Sequence, residues 1–177
     1  MERLRILGID PSLVRCGWGV VDIKGSKLTH VAHGVIAPPR GDSLPARLQH
    51  LHAALLAVVE DTRPHTAAVE DAFMKDNAQS ALKLGQARAA CILAATASNL
   101  PVGEYAPRSV KQAVVGSGAA TKDQVAHMVN ILLPGQALGP GDAADALAVA
   151  ICHSHRAGPD LARAGLVRAG LARPLVS

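Results

Sequence analysis

Between residues 4 and 10 the chain reads LRILGID, a nearly unbroken apolar run rich in branched side chains that stops at Asp10-Pro11. A run of that length predicts a strand buried on both faces. Segments 16–23 (CGWGVVDI) and 28–36 (LTHVAHGVI) are also strand-like. Between them Lys24-Gly25-Ser26-Lys27 reads as a hairpin turn with a glycine available for a positive φ. From Ser43 to Asp61 the period changes: Leu44, Leu48, Leu51, Leu55 and Val58 recur at helical steps, with Pro45 near the start and Pro64 just past the end. TAAVE (66–70) is a second short buried strand, and it ends in a carboxylate. A small-residue helix over 78–98 precedes VGEY (102–105), the last strand. Thr121 with Gln124 forms a capping box for a helix reaching Leu133, and GDAADALAVA (141–150) begins the final helix.

Three antiparallel strands, then helix, strand, helix, strand and helices predict an α/β fold: a mixed five-stranded sheet with helices on both faces. A chain of 177 residues suits one domain. We place it at 1–157, because beyond His155 the sequence becomes a low-complexity Ala/Gly/Leu/Arg tract. Residues 158–177 are expected to be a basic tail, disordered or a frayed helix.

Composition sharpens this picture at three points. Apolar residues make up 49% of the chain, which excludes disorder of the whole, but aromatics are reduced to Trp18, Phe73 and Tyr105. Aliphatic side chains and alanine must therefore build the core, and Phe73, set in the polar stretch EDAFMKDNAQS, needs a reason. No run of 18 apolar residues occurs and the N-terminus enters a strand at once, so the expectation is a cytoplasmic protein without a membrane partner. Cys16, Cys91 and Cys152 are odd in number and widely spaced, the pattern of reduced, packed thiols. Of the net charge of +4, four arginines against one aspartate in 156–173 supply +3, so the body is only weakly basic.

Four carboxylates stand out. Asp142 and Asp145 lie three apart on a helix and share one face near its N-terminus, where capping and the helix dipole alone would account for both. Asp10 and Glu70 each end a buried strand, where solvation alone would account for them. Should all four converge, their repulsion would raise their pKa values and destabilise the fold unless a cation offset it. An oxygen-only donor set suits Mg²⁺, or Mn²⁺, better than Zn²⁺. Two such ions can drive in-line displacement at phosphorus, so nuclease chemistry fits.

ILGIDPS, AAVEDAF, NAQSALKLGQARAA, SVKQAVVG, TKDQVAHMV and GDAADALAVAICH resemble, in that order, the successive motifs of the RuvC family of bacterial Holliday-junction resolvases. The similarity spans residues 4–155 and leaves only the tail outside. The resemblance implies an RNase H-like fold. It also implies that Asp10, Glu70, Asp142 and Asp145 are the catalytic and metal-binding acids, with two Mg²⁺ per site. It further implies a homodimer that nicks a four-way DNA junction symmetrically in recombination and repair, alongside the branch-migration proteins RuvA and RuvB. Lys111 and Lys122 match basic positions that the family uses near the DNA, although lysines on exposed helix faces also merely solvate. Phe73 resembles the aromatic that the family sets against bases.

The chain departs from the family at Ser12, where glycine is usual, and at Asp71, where a neutral residue is common. Strand alternation should point Asp71 away from Glu70. Gly17-Trp18-Gly19 reads as packing at a strand, and His153 and His155 as a solvated helix end. Two rivals remain. GIDPS...CGWG also resembles the phosphate hairpin of actin-like ATPases, but those need a second domain. A junction-binding scaffold without catalysis would not need all four acids.

Overall fold

The computed structural model describes residues 3–72, 77–135 and 138–156. Phe73, the domain boundary expected after 157 and the basic tail lie outside the described residues. Strands β1 (Leu4–Asp10), β2 (Cys16–Lys24) and β3 (Lys27–Ile36) form the antiparallel meander expected. Lys24 pairs with Lys27 across Gly25-Ser26, and Gly25 takes φ 63°, the left-handed conformation the hairpin requires. Helix α1 (Leu44–Thr62) starts at Ser43, whose hydroxyl accepts from Ala46 N, and stops at Arg63 in the left-handed region, one residue before Pro64. Strand β4 (Thr66–Glu70), helix α2 (Ala78–Ala97, capped by Asn77) and strand β5 (Val102–Tyr105) follow within a residue of expectation.

The pattern reading did not delimit helix α3 (Pro107–Val115). It has only two fully buried residues, Val110 and Val114, too few to show a period, and it closes at Gly116 with φ 83°. The Thr121–Gln124 capping box opens α4 (Lys122–Leu132), and α5 runs Asp142–Arg156.

The sheet order is β3-β2-β1-β4-β5, with β1, β4 and β5 parallel and the other pairings antiparallel. Side-chain alternation divides its surroundings into two cores. Leu7, Ile9, Val20 and Val69 face Leu51, Leu55 and Val59 of α1 and the alanines of α2. Ile6, Val21 and Ala68 face α5, over which α3 and α4 pack. Helices therefore cover both faces, as expected.

Helix α5 lies close against the sheet because the strands beneath it offer glycine. A Cβ on Gly8 would stand 2.1 Å from Ala146 O, and one on Gly17 1.9 Å from Asp142 O. No side chain fits either gap, so backbone meets backbone. Trp18, between the two glycines of β2, packs against the α1–α2 side, in keeping with a packing role. Cys16 and Cys91 lie buried with their sulfurs 3.8 Å apart, and all three cysteines are free thiols.

Candidate active site

Ile9 pairs with Val69, so the next residues, Asp10 and Glu70, leave neighbouring parallel strands side by side. Each has the parity of the residues that face α5, Gly8 and Ala68, and both carboxylates enter one cleft of roughly 230 Å³. Asp145, Lys111 and Lys122 also line it, between apolar walls that include Val110 and Val125. Gly17 is the register partner of Asp10 and carries the backbone of Asp142 directly above it, which brings the head of α5 to the strand ends.

The acids fall into two pairs. Burial, then the charges of Glu70 and Asp145, push the Asp10 carboxyl up to about 7, with Lys122 opposing. Burial and Asp145 raise Glu70 too, against the pull of Lys122 and Lys111. The helix pair is instead engaged by cations: Lys122 Nζ lies 2.7 Å from Asp145 Oδ2, and Arg15 Nε lies 2.7 Å from Asp142 Oδ2. Hydrogen bonding to Asp145 raises Lys122, so it stays charged.

Asp145 N donates to Gly141 O at 3.0 Å, the first bond of α5, so Asp142 is the first helical residue and not the N-cap. With the helix pair turned to its cations, no three Asp, Glu, His or Cys side chains among the described residues are already drawn together as a metal shell. The chemistry of the donors nonetheless fits a hard cation. Two half-buried carboxylates, Asp10 and Glu70, share a cleft with Asp145, no positive group among the described residues is bonded to Asp10 or Glu70, and Asp142 stands outside the lining, all four being oxygen donors.

Asp71 behaves as alternation requires: its carboxylate pairs with Arg88 of α2 at 3.2 Å, on the opposite side from Glu70. Ser12 builds the turn after Asp10 by accepting from Val14 N and Arg15 N. His153 is a correction. It is wholly buried rather than solvated, with Nε2 3.0 Å from Thr66 Oγ1 and Nδ1 2.8 Å from the Tyr105 hydroxyl, and burial pushes its pKa down to about 4. His155 is exposed, as expected of a helix end. Sequence reasoning also missed Arg15, because an isolated arginine in a turn carries no periodicity, and only the fold places it beside Asp142.

Carboxylates gathered where the central strands end, on a sheet of this order, place the chain in the RNase H-like class of proteins. Comparison narrows the class. The family model described as crossover junction endodeoxyribonuclease RuvC matches residues 6–153. The crossover junction endodeoxyribonuclease RuvC of Maricaulis maris is 57% identical over 86% of this chain and 91% of its own length. That of Paramagnetospirillum magneticum is 53% identical over 91% and 98%. The T. thermophilus RuvC solved in complex with Holliday junction substrate superposes with a TM-score of 0.81 at 36% identity, covering 97% of this chain and 99% of that one. The yeast mitochondrial Holliday junction resolvase Ydc2, at 16% identity and a TM-score of 0.60 over 84% and 77%, shares the fold. Over nearly all its described length, therefore, the chain belongs to the RuvC family.

Proposed function

We propose that this chain resolves four-way DNA junctions by paired, symmetrical nicks, with Asp10, Glu70, Asp142 and Asp145 as its metal-binding catalytic acids. One observation carries the reading: two half-buried, like-charged carboxylates share a cleft with a third acid and two lysines. Burial on that scale is costly for carboxylates that serve packing alone. Family membership and the likeness to a protein solved with a Holliday junction support the choice of DNA substrate.

Asp10, at the centre, and Glu70 would hold the shared cation positions, with the helix aspartates completing them. Two Mg²⁺ ions, with Mn²⁺ as an alternative, supply activation of a water and stabilisation of the leaving oxygen. The chain's own groups do the rest. Lys111 and Lys122 hold positive charge at the cleft where a phosphate must enter. Phe73, three residues past Glu70, is assigned to stacking on an unpaired base.

A homodimer, with one site for each nicked strand, is proposed by family membership. RuvA and RuvB are proposed partners by family membership, and the cytoplasm is the proposed setting; no helix among the described residues is long and apolar enough to cross a membrane. Incubating the protein with labelled junction and linear duplex in Mg²⁺, Mn²⁺ or EDTA tests the whole reading. Paired nicks on the junction alone, lost in EDTA, are expected; cleavage of both substrates alike, or in EDTA, would refute it.

A further inference from the structure

The turn that carries Arg15 is pinned at its backbone and free at its side chain. Ser12 Oγ accepts from Arg15 N at 3.2 Å, Arg47 Nη2 donates to Leu13 O at 2.6 Å, and Leu13 itself is buried. The Arg15 side chain is nevertheless 60% exposed, and the polar partner that holds it is Asp142. Asp142 is built the same way, with its backbone seated on Gly17 and its carboxylate held by Arg15. Neither Arg15 nor Asp142 is among the residues that line the cleft, so the pair stands outside it.

A guanidinium at 2.7 Å from a carboxylate oxygen occupies a lone-pair direction that a metal ion would need. A cation arriving at Asp142 Oδ2 would meet repulsion from the guanidinium already bonded to it. We propose that Arg15 is a positioning residue that takes the cation place on Asp142 in the free protein, yields it when metal binds, and then turns its charge to a phosphate of the bound strand. Resting on the four-acid reading, this adds an order to it. The cation place formed with Asp142 is contested, whereas the one at the strand ends is not. Exposure lets the side chain swing without disturbing the core, and its fixed planar fork suits a phosphate once the carboxylate is taken.

The full-length, metal-free protein should be titrated with Mn²⁺ by calorimetry, as wild type, Arg15→Gln, Arg15→Lys and Asp10→Asn. Removing the competing charge should tighten Mn²⁺ binding by about tenfold in Arg15→Gln, and Arg15→Lys should return it towards wild type. Unchanged or weaker binding in Arg15→Gln, or equal tightening in Arg15→Lys, would overturn the exchange. Asp10→Asn separates the two readings. If it binds Mn²⁺ as wild type does, the four-acid site fails and Arg15 with it; if it loses binding while Arg15→Gln gains none, only Arg15 fails. Junction binding in Ca²⁺ over a salt series gives the second readout. The slope of affinity against salt should fall by about one per protomer in Arg15→Gln and stay near wild type in Arg15→Lys. An unchanged slope in Arg15→Gln would overturn the phosphate contact.

Discussion

The two faces of the sheet are built differently from the same strands. On one, leucine and valine side chains of α1 meet Leu7, Ile9 and Val69, with the thiols of Cys16 and Cys91 among them. On the other, alanines of α5 lie against Gly8 and the backbone of Asp142 lies against Gly17, and the carboxylates emerge at the end of that seam. The first face tolerates loss of volume at a cost in stability alone. The second couples backbone position to chemistry, so small changes there should reach the acids.

Asp10→Asn should show the largest effect, abolishing cleavage while making the metal-free protein more stable. The Asp10 carboxyl is raised from its ordinary 3.8 to about 7, so ionising it opposes folding. That cost is absent below the unfolded pKa, grows as pH rises and is complete above 7. Near pH 8 the variant should gain about 2 to 4 kcal/mol in chemical denaturation, and near pH 4 nothing. An equal or lower stability near pH 8 would mean that Asp10 is not strained by its neighbours.

Leu55→Ala on the apolar face should cost ~2 to 5 kcal/mol yet keep cleavage below its melting range. Gly17→Ala should cost about 1 to 3 kcal/mol and lose cleavage with it, because Asp142 must move. Cleavage at the wild-type rate in Gly17→Ala would erase the distinction between the faces.

His153 tests the far end of the α5 face. Its pKa falls from 6.5 to about 4 in the fold, so the unfolded chain takes up the proton first. Stability is full above pH 6.5 and should drop by up to ~3 kcal/mol as pH falls towards 4, a slope that His153→Gln should flatten. The smallest expected change in stability belongs to Phe73→Ala: within about 0.5 kcal/mol of wild type, while junction cleavage falls by about tenfold. A drop of several degrees in Tm, recovered in Phe73→Leu, would make Phe73 a packing residue.

Elements with a period or a punctuating turn were legible in the sequence: the Gly25 hairpin, the Thr121 capping box and the leucine stripe of α1 all stand where the pattern puts them. Strand alternation likewise separated Asp71 from Glu70 correctly. What failed to show was whatever depends on a partner distant in the chain. His153 looked solvated because its partners, Thr66 and Tyr105, lie 87 and 48 residues away. Asp142 read equally well as a cap because neither Arg15 nor Gly17, 127 and 125 residues before it, can be placed beside it by spacing.

The seat of α5 on bare glycine also sets a length. With Asp142 O held against Gly17, the helix has no room to slide or tilt towards the strand ends, so the reach of its carboxylates is fixed by side-chain rotation alone. One methylene separates the backbone from the carboxyl group in aspartate and two in glutamate. Replacing Asp142 or Asp145 by glutamate would therefore add a methylene that the seated helix cannot draw back to offset.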